Sequence, residues 1–262
     1  MILDSIVEAV KLRIEKDMEK ISLLEMKSMA ENLNHETGFP FELALGKEDI
    51  NFICEIKKAS PSKGIIAEVF PYLTIAKEYE KAFASCISVL TEPDFFLGSD
   101  QYLTQIRQEV SLPLLRKDFI IDPYQIYQSK VMGADCILLI CALLDDVTLT
   151  KFLELSEHLG LSALVEAHDE EEVNKAVKCK AKIIGVNNRN LKTFQVNINN
   201  SIRLRKLVPD HILFVAESGI TSAQDIDDLR RAKVNGVLIG ETLMKTKDKE
   251  AMIRELRGIN GR

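Results

Sequence analysis

No run in the chain approaches the roughly 20 apolar residues that a membrane-spanning helix needs. The start, Met1-Ile2-Leu3-Asp4-Ser5, also lacks a basic segment leading into an apolar one. A cytoplasmic location with no membrane contact is the expectation. Positive charge is not in excess: the formal net charge is −6, which argues against a nucleic-acid or anionic-membrane surface while leaving room for a local basic pocket around a small anionic ligand. CxxC and Cys/His metal spacings are missing. Cys54, Cys86, Cys136, Cys141 and Cys179 lie mostly inside apolar, strand-like runs and read as buried small hydrophobes in a reducing compartment, so neither a disulfide nor a metal site is expected.

What is present is enough for one core. The 262 residues are 46% hydrophobic and carry no long low-complexity tract, so a single α/β domain suffices. From Leu3 to Leu33 apolar residues recur at helical spacing, through Ile6, Val7, Val10, Ile14, Met18, Ile21 and Leu24, and Asn34 to Pro40 ends that region. Phe41, Ala44 and Leu45 continue as a short apolar segment, and residues 1–48 read as a helical extension packed over the rest of the domain.

Beyond it, strand-like runs alternate with helical ones. The spacing predicts strands near 51–57, 86–91, 112–118, 135–140, 162–166, 182–187, 212–217 and 235–239, with a helical pattern in every gap. Pro71 opens one helix (Tyr72, Ile75, Ala76, Tyr79, Phe83), Ser99 caps another, Asp122-Pro123 starts one ending at Gly133, and Asp145 or Asp146 starts one ending at Gly160. Eight β-α units match a closed (β/α)8 TIM barrel. A doubly wound open sheet more often has five or six strands, and the first β-α turn here has no GxGxxG.

The first strand shows where chemistry concentrates. Alternation puts Phe52, Cys54 and Ile56 on one face and Ile53, Glu55 and Lys57 on the other, so an acid and a base share a side. Other strands also end in polar groups: Lys117 on the third, Glu166 on the fifth, Asn187 and Arg189 on the sixth, Glu217 and Ser218 on the seventh. A rim salt bridge is the plain reading of any one of these, Glu217 above all. Taken together they converge on the end of a barrel where active sites form, and could bind an anionic substrate and move protons. Gly219 and Gly240 follow strands seven and eight, where barrel enzymes bind phosphate through backbone N–H groups; a tight turn is their plainer role.

Five segments carry a family resemblance: Ile53 to Gly64 (ICEIKKASPSKG), Ser88 to Glu92 (SVLTE), Lys117 to Tyr127 (KDFIIDPYQIY), Gly185 to Leu191 (GVNNRNL) and Glu217 to Ile220 (ESGI). In these motifs, and over essentially its whole length, the chain resembles the indole-3-glycerol phosphate synthases of tryptophan biosynthesis. The resemblance implies ring closure, decarboxylation and dehydration of 1-(2-carboxyphenylamino)-1-deoxyribulose 5-phosphate, a phosphorylated small molecule, with no cofactor.

By that likeness Lys117 is the general acid at the ketone oxygen, Glu166 the general base or electrostatic partner, and Glu55 and Lys57 assist dehydration. The division of acid duties between Lys57 and Lys117 stays open. Asn187 and Arg189 match residues that hold the anthranilate part. Phe96, Phe119, Leu138, Leu191 and Leu238 match apolar positions around the ring, with barrel core as the other reading of Leu138 and Leu238. Lys57, Ser218, Gly219 and Gly240 match the phosphate side, and Ser60, Glu217 and Glu241 join the expected substrate-binding set.

The chain departs from the family's usual pattern at Asn190, where many members have Asp, and at Glu241, where Ser is frequent. Glu241 is expected to offer its backbone N–H while its side chain turns away. Of the four histidines only His168, two residues after Glu166, merits a test. A barrel that only binds a sugar phosphate and a Schiff-base aldolase using Lys57 or Lys117 are the competing readings. A single barrel ending at Arg262 leads to the expectation of a monofunctional monomer.

Overall fold

Period-two alternation and the caps between strands resolve into a barrel in the computed structural model, which describes residues 2–190 and 194–258. The strands are β1 (Asn51–Ile56), β2 (Cys86–Leu90), β3 (Leu114–Lys117), β4 (Cys136–Ile140), β5 (Ser162–Ala167), β6 (Ile183–Asn187), β7 (Leu213–Glu217) and β8 (Gly236–Ile239). All pair in parallel in chain order, and β8 closes on β1 with Asn51 opposite Gly236 and Cys54 opposite Ile239. A two-residue hairpin, Ala59–Ser60 with Gly64–Ile65, stands in the first loop.

The extension comprises α1 (Ile2–Lys20), α2 (Leu23–Glu31) and α3 (Pro40–Leu45). Ser22 divides the first helical stretch by accepting a hydrogen bond from the Glu25 N–H at 3.3 Å, the geometry of an N-cap. The barrel helices are α4 (Tyr72–Lys81), α5 (Asp100–Glu109), α6 (Pro123–Val131), α7 (Asp146–His158), α8 (Glu170–Lys178), α9 (Asn199–Arg205), α10 (Ala223–Arg231), α11 (Glu241–Lys245) and α12 (Lys249–Leu256). Asp145, not Asp146, caps α7, accepting from the Thr148 N–H at 2.7 Å. Asp122 and Gln125 form a capping box on α6. Phe83 falls outside its expected helix: the chain turns left-handed there, with φ of 59°, and the ring is exposed.

Two apolar cores result. Phe52, Cys54 and Ile56 join the layer between strands and helices, whereas Ile53, Cys86, Leu115, Cys136, Leu138, Ile140, Leu164, Ile183, Val215 and Leu238 fill the barrel itself. Phe41, Ala44 and Leu45 belong to the inner core, so α3 plugs the barrel at the N-terminal ends of its strands. Asn51 fastens the plug by donating from its side chain to the Leu45 carbonyl at 3.1 Å. The extension therefore serves both ends, since α1 reaches the opposite rim, where Arg13 donates to Asp118 at 2.6 Å.

Arg116 faces outward on β3 and is almost fully buried, so its charge must be compensated locally. Its guanidinium donates to Thr91 Oγ1, the Gln125 carbonyl, Ser129 Oγ, Asp100 Oδ1 and Asp118 Oδ2, all at 3.1 to 3.3 Å. Asp118 in turn accepts from Thr91, from Arg13 and from the Phe119 N–H. Burial would raise the Asp118 pKa, but Arg13 and Arg116 outweigh it and hold the carboxyl below the ordinary aspartate range.

Two outcomes follow from this network. Arg116→Met strands Asp118 without one of its cations and is expected to lower unfolding stability in urea by about 3–5 kcal/mol. Because the folded pKa of Asp118 is depressed, its contribution is present above the unfolded value and is lost as pH falls through the folded one. Urea midpoints for the wild type should therefore drop on acidification below about pH 4, and Asp118→Asn should start lower and fall less. Equal slopes in the two proteins would rule out this source.

Candidate active site

Inward-facing positions at the C-terminal ends of β1, β3, β5 and β7 carry Glu55, Lys117, Glu166 and Glu217, and those of β2, β4 and β8 are mainly small or apolar. Alternate strands thus supply one charged layer above the apolar filling. Lys117 Nζ donates to Glu217 Oε2 at 2.6 Å and to Glu166 Oε2 at 3.1 Å. Glu166 Oε1 accepts from Asn187 Nδ2 at 3.3 Å, and Lys57 forms an ion pair with Glu55 beside this group.

Environment separates the charges. Burial alone would discharge Lys117, yet Glu217, Glu166 and Glu55 together raise its pKa, so it stays an ammonium. Burial pushes Glu217 upward, and Glu166 and Glu55 add to that against the pull of Lys117. Glu166 goes the other way: burial is more than offset by Lys117 and His168, which hold it below the usual carboxylate range. One carboxylate is kept ionised and its neighbour is made easy to protonate. Glu217 Oε1 is also buried without a hydrogen-bond partner among the described residues.

The groups expected on the phosphate side gather at β1, β7 and β8. A Cβ on Gly240 would collide with Glu55 Oε2 and lie 3.0 Å from Lys57 Nζ, so the backbone after β8 approaches that pair only as glycine. Ser218 and Gly219 follow β7 with φ of 67° and 84°, a reversal that the Asn188 side chain holds by donating to the Ser218 carbonyl at 3.1 Å. Glu241 does not turn its side chain away. Its carboxylate lies 2.7 Å from Lys245, one turn on in the same helix, and 3.5 Å from Lys63 and 3.8 Å from Arg189, which reach it from the loops after β1 and β6. Arg189 itself lies in the loop beyond β6, where Asn187 Oδ1 accepts its backbone N–H at 3.0 Å.

Phe96 and Phe119 approach with ring centroids 5.9 Å apart. Glu92 sets the first of these by accepting the N–H groups of Asp94, Phe95 and Phe96 at 2.8 to 3.0 Å. Leu138 and Leu238 belong to the inner barrel core, directly below the charged layer. Ser60 sits in the first-loop hairpin with its Oγ 3.5 Å from that of Ser62. Leu191 lies outside the described residues.

Reading the sequence did not single out Asn188, Ser88 or Lys63. Asn188 is one residue past the strand, between Asn187 and Arg189, and its role shows only when β7 lies alongside. Ser88 stands opposite Glu55 in the β1–β2 register, with its hydroxyl buried and without a hydrogen-bond partner among the described residues. Glu31, His35 and His158 bring possible metal-ligating atoms within 4.8 Å of one another, but on the outer seam between α2 and α7, with His158 already 3.2 Å from Glu31. Among the described residues no helix is long and apolar enough to cross a membrane.

Comparison with known proteins gives the family. A model of the family "indole-3-glycerol phosphate synthase" matches residues 3–256. The indole-3-glycerol phosphate synthase of Ruminiclostridium cellulolyticum is 58% identical over 98% of this chain and 99% of its own. That of Endomicrobium trichonymphae is 56% identical over 98% and 100%, and that of Acetivibrio thermocellus 46% over 99% and 100%. Among solved structures, 3-hexulose-6-phosphate synthase from Salmonella typhimurium superimposes with a TM-score of 0.65 over 80% of this chain and 98% of its own at 14% identity, a likeness of fold alone. On the match of the family across nearly its whole length, the chain belongs to the indole-3-glycerol phosphate synthases.

Proposed function

We propose that this protein is an indole-3-glycerol phosphate synthase, converting 1-(2-carboxyphenylamino)-1-deoxyribulose 5-phosphate to indole-3-glycerol phosphate, carbon dioxide and water in tryptophan biosynthesis. The observation that carries the reading, beyond family membership, is the buried Lys117 ammonium between Glu166 and Glu217 at the barrel mouth. A protonated lysine suits an acid, and it does not suit the neutral amine that Schiff-base chemistry requires. The five free, buried cysteines fit a reducing cytoplasm.

Lys117 gives its proton to the ketone oxygen as the aromatic ring carbon attacks the ketone carbon, forming the new carbon–carbon bond and a hydroxyl. The ring carboxylate leaves as carbon dioxide, and its bonding electrons return to the ring. Dehydration then removes that hydroxyl as water with a proton from an acid, for which Lys57 is the second candidate, and Glu166 accepts the proton lost from the adjoining methylene carbon, so that the new carbon–carbon double bond completes the indole. The ionised Glu166 also stabilises the cationic intermediates. Arg189 and Asn187 hold the anthranilate carboxylate, Phe96, Phe119, Leu138 and Leu238 flank the ring, and Lys57 with the backbone N–H groups of Ser218, Gly219, Gly240 and Glu241 takes the phosphate.

Following product by its fluorescence, Lys117→Ala should lose kcat by about 10²–10⁴-fold with a smaller change in KM. Near-normal turnover in that variant would transfer the acid role to Lys57, and no product from the wild type would favour a barrel that only binds. Borohydride added with substrate should leave no adduct on Lys57 or Lys117. Since Glu241 shares Lys63 and Arg189 with any incoming anion, Glu241→Ser should lower KM by about threefold to tenfold at low salt, with kcat little changed. An unchanged or higher KM would show that Glu241 does not compete with substrate.

A further inference from the structure

We infer that His168 is a positioning residue for Glu166: held by Glu172, it keeps the Glu166 carboxylate charged and aimed into the barrel when Lys117 turns from it to the substrate. This rests on the reading of Lys117 and Glu166 given above.

His168 follows the end of β5, two residues after Glu166, so the chain presents both on the same side. The imidazole is mostly buried and held from α8, and the His168 backbone is held from α8 and α9. Its Nδ1 lies 3.1 Å from Glu172 Oε2, and its backbone N–H donates to the same oxygen at 2.7 Å. Asn200 of α9 donates to its carbonyl at 2.9 Å. With the ring so fixed, Nε2 lies 3.4 Å from Glu166 Oε1, buried and without an aligned hydrogen-bond partner.

A carboxylate thus faces each ring nitrogen. A neutral imidazole would turn a lone pair toward one of them, whereas the imidazolium presents N–H to both. Burial opposes that charge, but Glu172 and Glu166, with Glu217 farther off, outweigh it and raise the pKa above the ordinary histidine value. The groups facing this pair are Glu166 on β5, Glu172 on α8, Glu217 on β7 and Lys117 on β3, the last reaching it through Glu166.

The two oxygens of Glu166 have separate partners. Oε2 meets Lys117, while Oε1 is flanked by His168 and Asn187. When Lys117 donates to substrate, Glu166 loses its closest cation in a buried setting, which would raise its pKa and free it to rotate. His168 is the cation that remains. Its charge is present below its raised pKa and is lost as pH rises through that value.

The test compares wild type, His168→Gln and Glu172→Gln by pH profiles of kcat and kcat/KM, with imidazole nitrogen NMR shifts of His168 in the wild type. His168→Gln should lower kcat about tenfold with KM nearly kept, and move the acid limb of kcat/KM upward by about one pH unit, because Glu166 then titrates higher. Glu172→Gln should bring the alkaline limb to lower pH, because His168 then loses its proton sooner. An acid limb unmoved in His168→Gln, or NMR shifts showing a neutral His168 at neutral pH, overturns the inference. If His168→Gln does not fold, Glu172→Gln and the wild-type titration decide. A wild type that makes no product while His168 is charged counts against the catalytic reading and not against the ion arrangement.

Discussion

Burying a layer of opposite charges on top of an apolar barrel is the constraint on which the rest of this structure depends. Lys117 bridges Glu166 and Glu217, carboxylates that would repel each other strongly without it. Each is held by a different strand, so the balance exists only when the barrel is closed in its observed register. The small inward residues nearby fit this requirement, since Gly185 leaves the space that the Glu217 carboxylate occupies.

A second set of charges makes the first rigid. Arg116 points to the helices from the same strand that sends Lys117 inward, and its bonds to Asp118, Asp100, Thr91 and Ser129 tie β2, β3, α5 and α6 together. Asp118 accepts the Phe119 N–H, so the network that compensates Arg116 also orients an aromatic residue at the mouth. Arg13 of α1 completes it, which explains why an N-terminal extension touches the catalytic end at all. Stability and site geometry share these bonds.

Much of this could be read in the sequence. Period two placed Ile53, Glu55 and Lys57 on one face of β1, and the structure finds Ile53 in the inner core with Phe52, Cys54 and Ile56 outside it. The caps at Ser99 and Asp122 were legible, and that of α7 to within Asp145 or Asp146, because an N-cap is a local arrangement of one side chain and the next turn. Contacts set by closure were not. Nothing near Asn188 in sequence indicates that it holds the reversal after β7, and nothing near Glu241 reveals Lys63 and Arg189 beside it. Phe83 misled because its apolar side chain continued a helical pattern that the left-handed turn breaks. The place of α3 was hidden for the same reason: its apolar face looks alike whether it covers a barrel or stoppers one.

That stopper bears on how the chain is made. The edge of β1 pairs with β8, and Asn51 reaches both the Leu45 carbonyl and that of Asn235, so residues formed early wait for partners formed almost last. On a ribosome the apolar face of α3 and one edge of β1 stay uncovered until Gly236–Ile239 has left the exit tunnel. An unpaired edge beside an apolar helix is what chaperones bind and neighbouring nascent chains join. Closure of that edge is therefore concentrated in one late event, the arrival of the eighth strand.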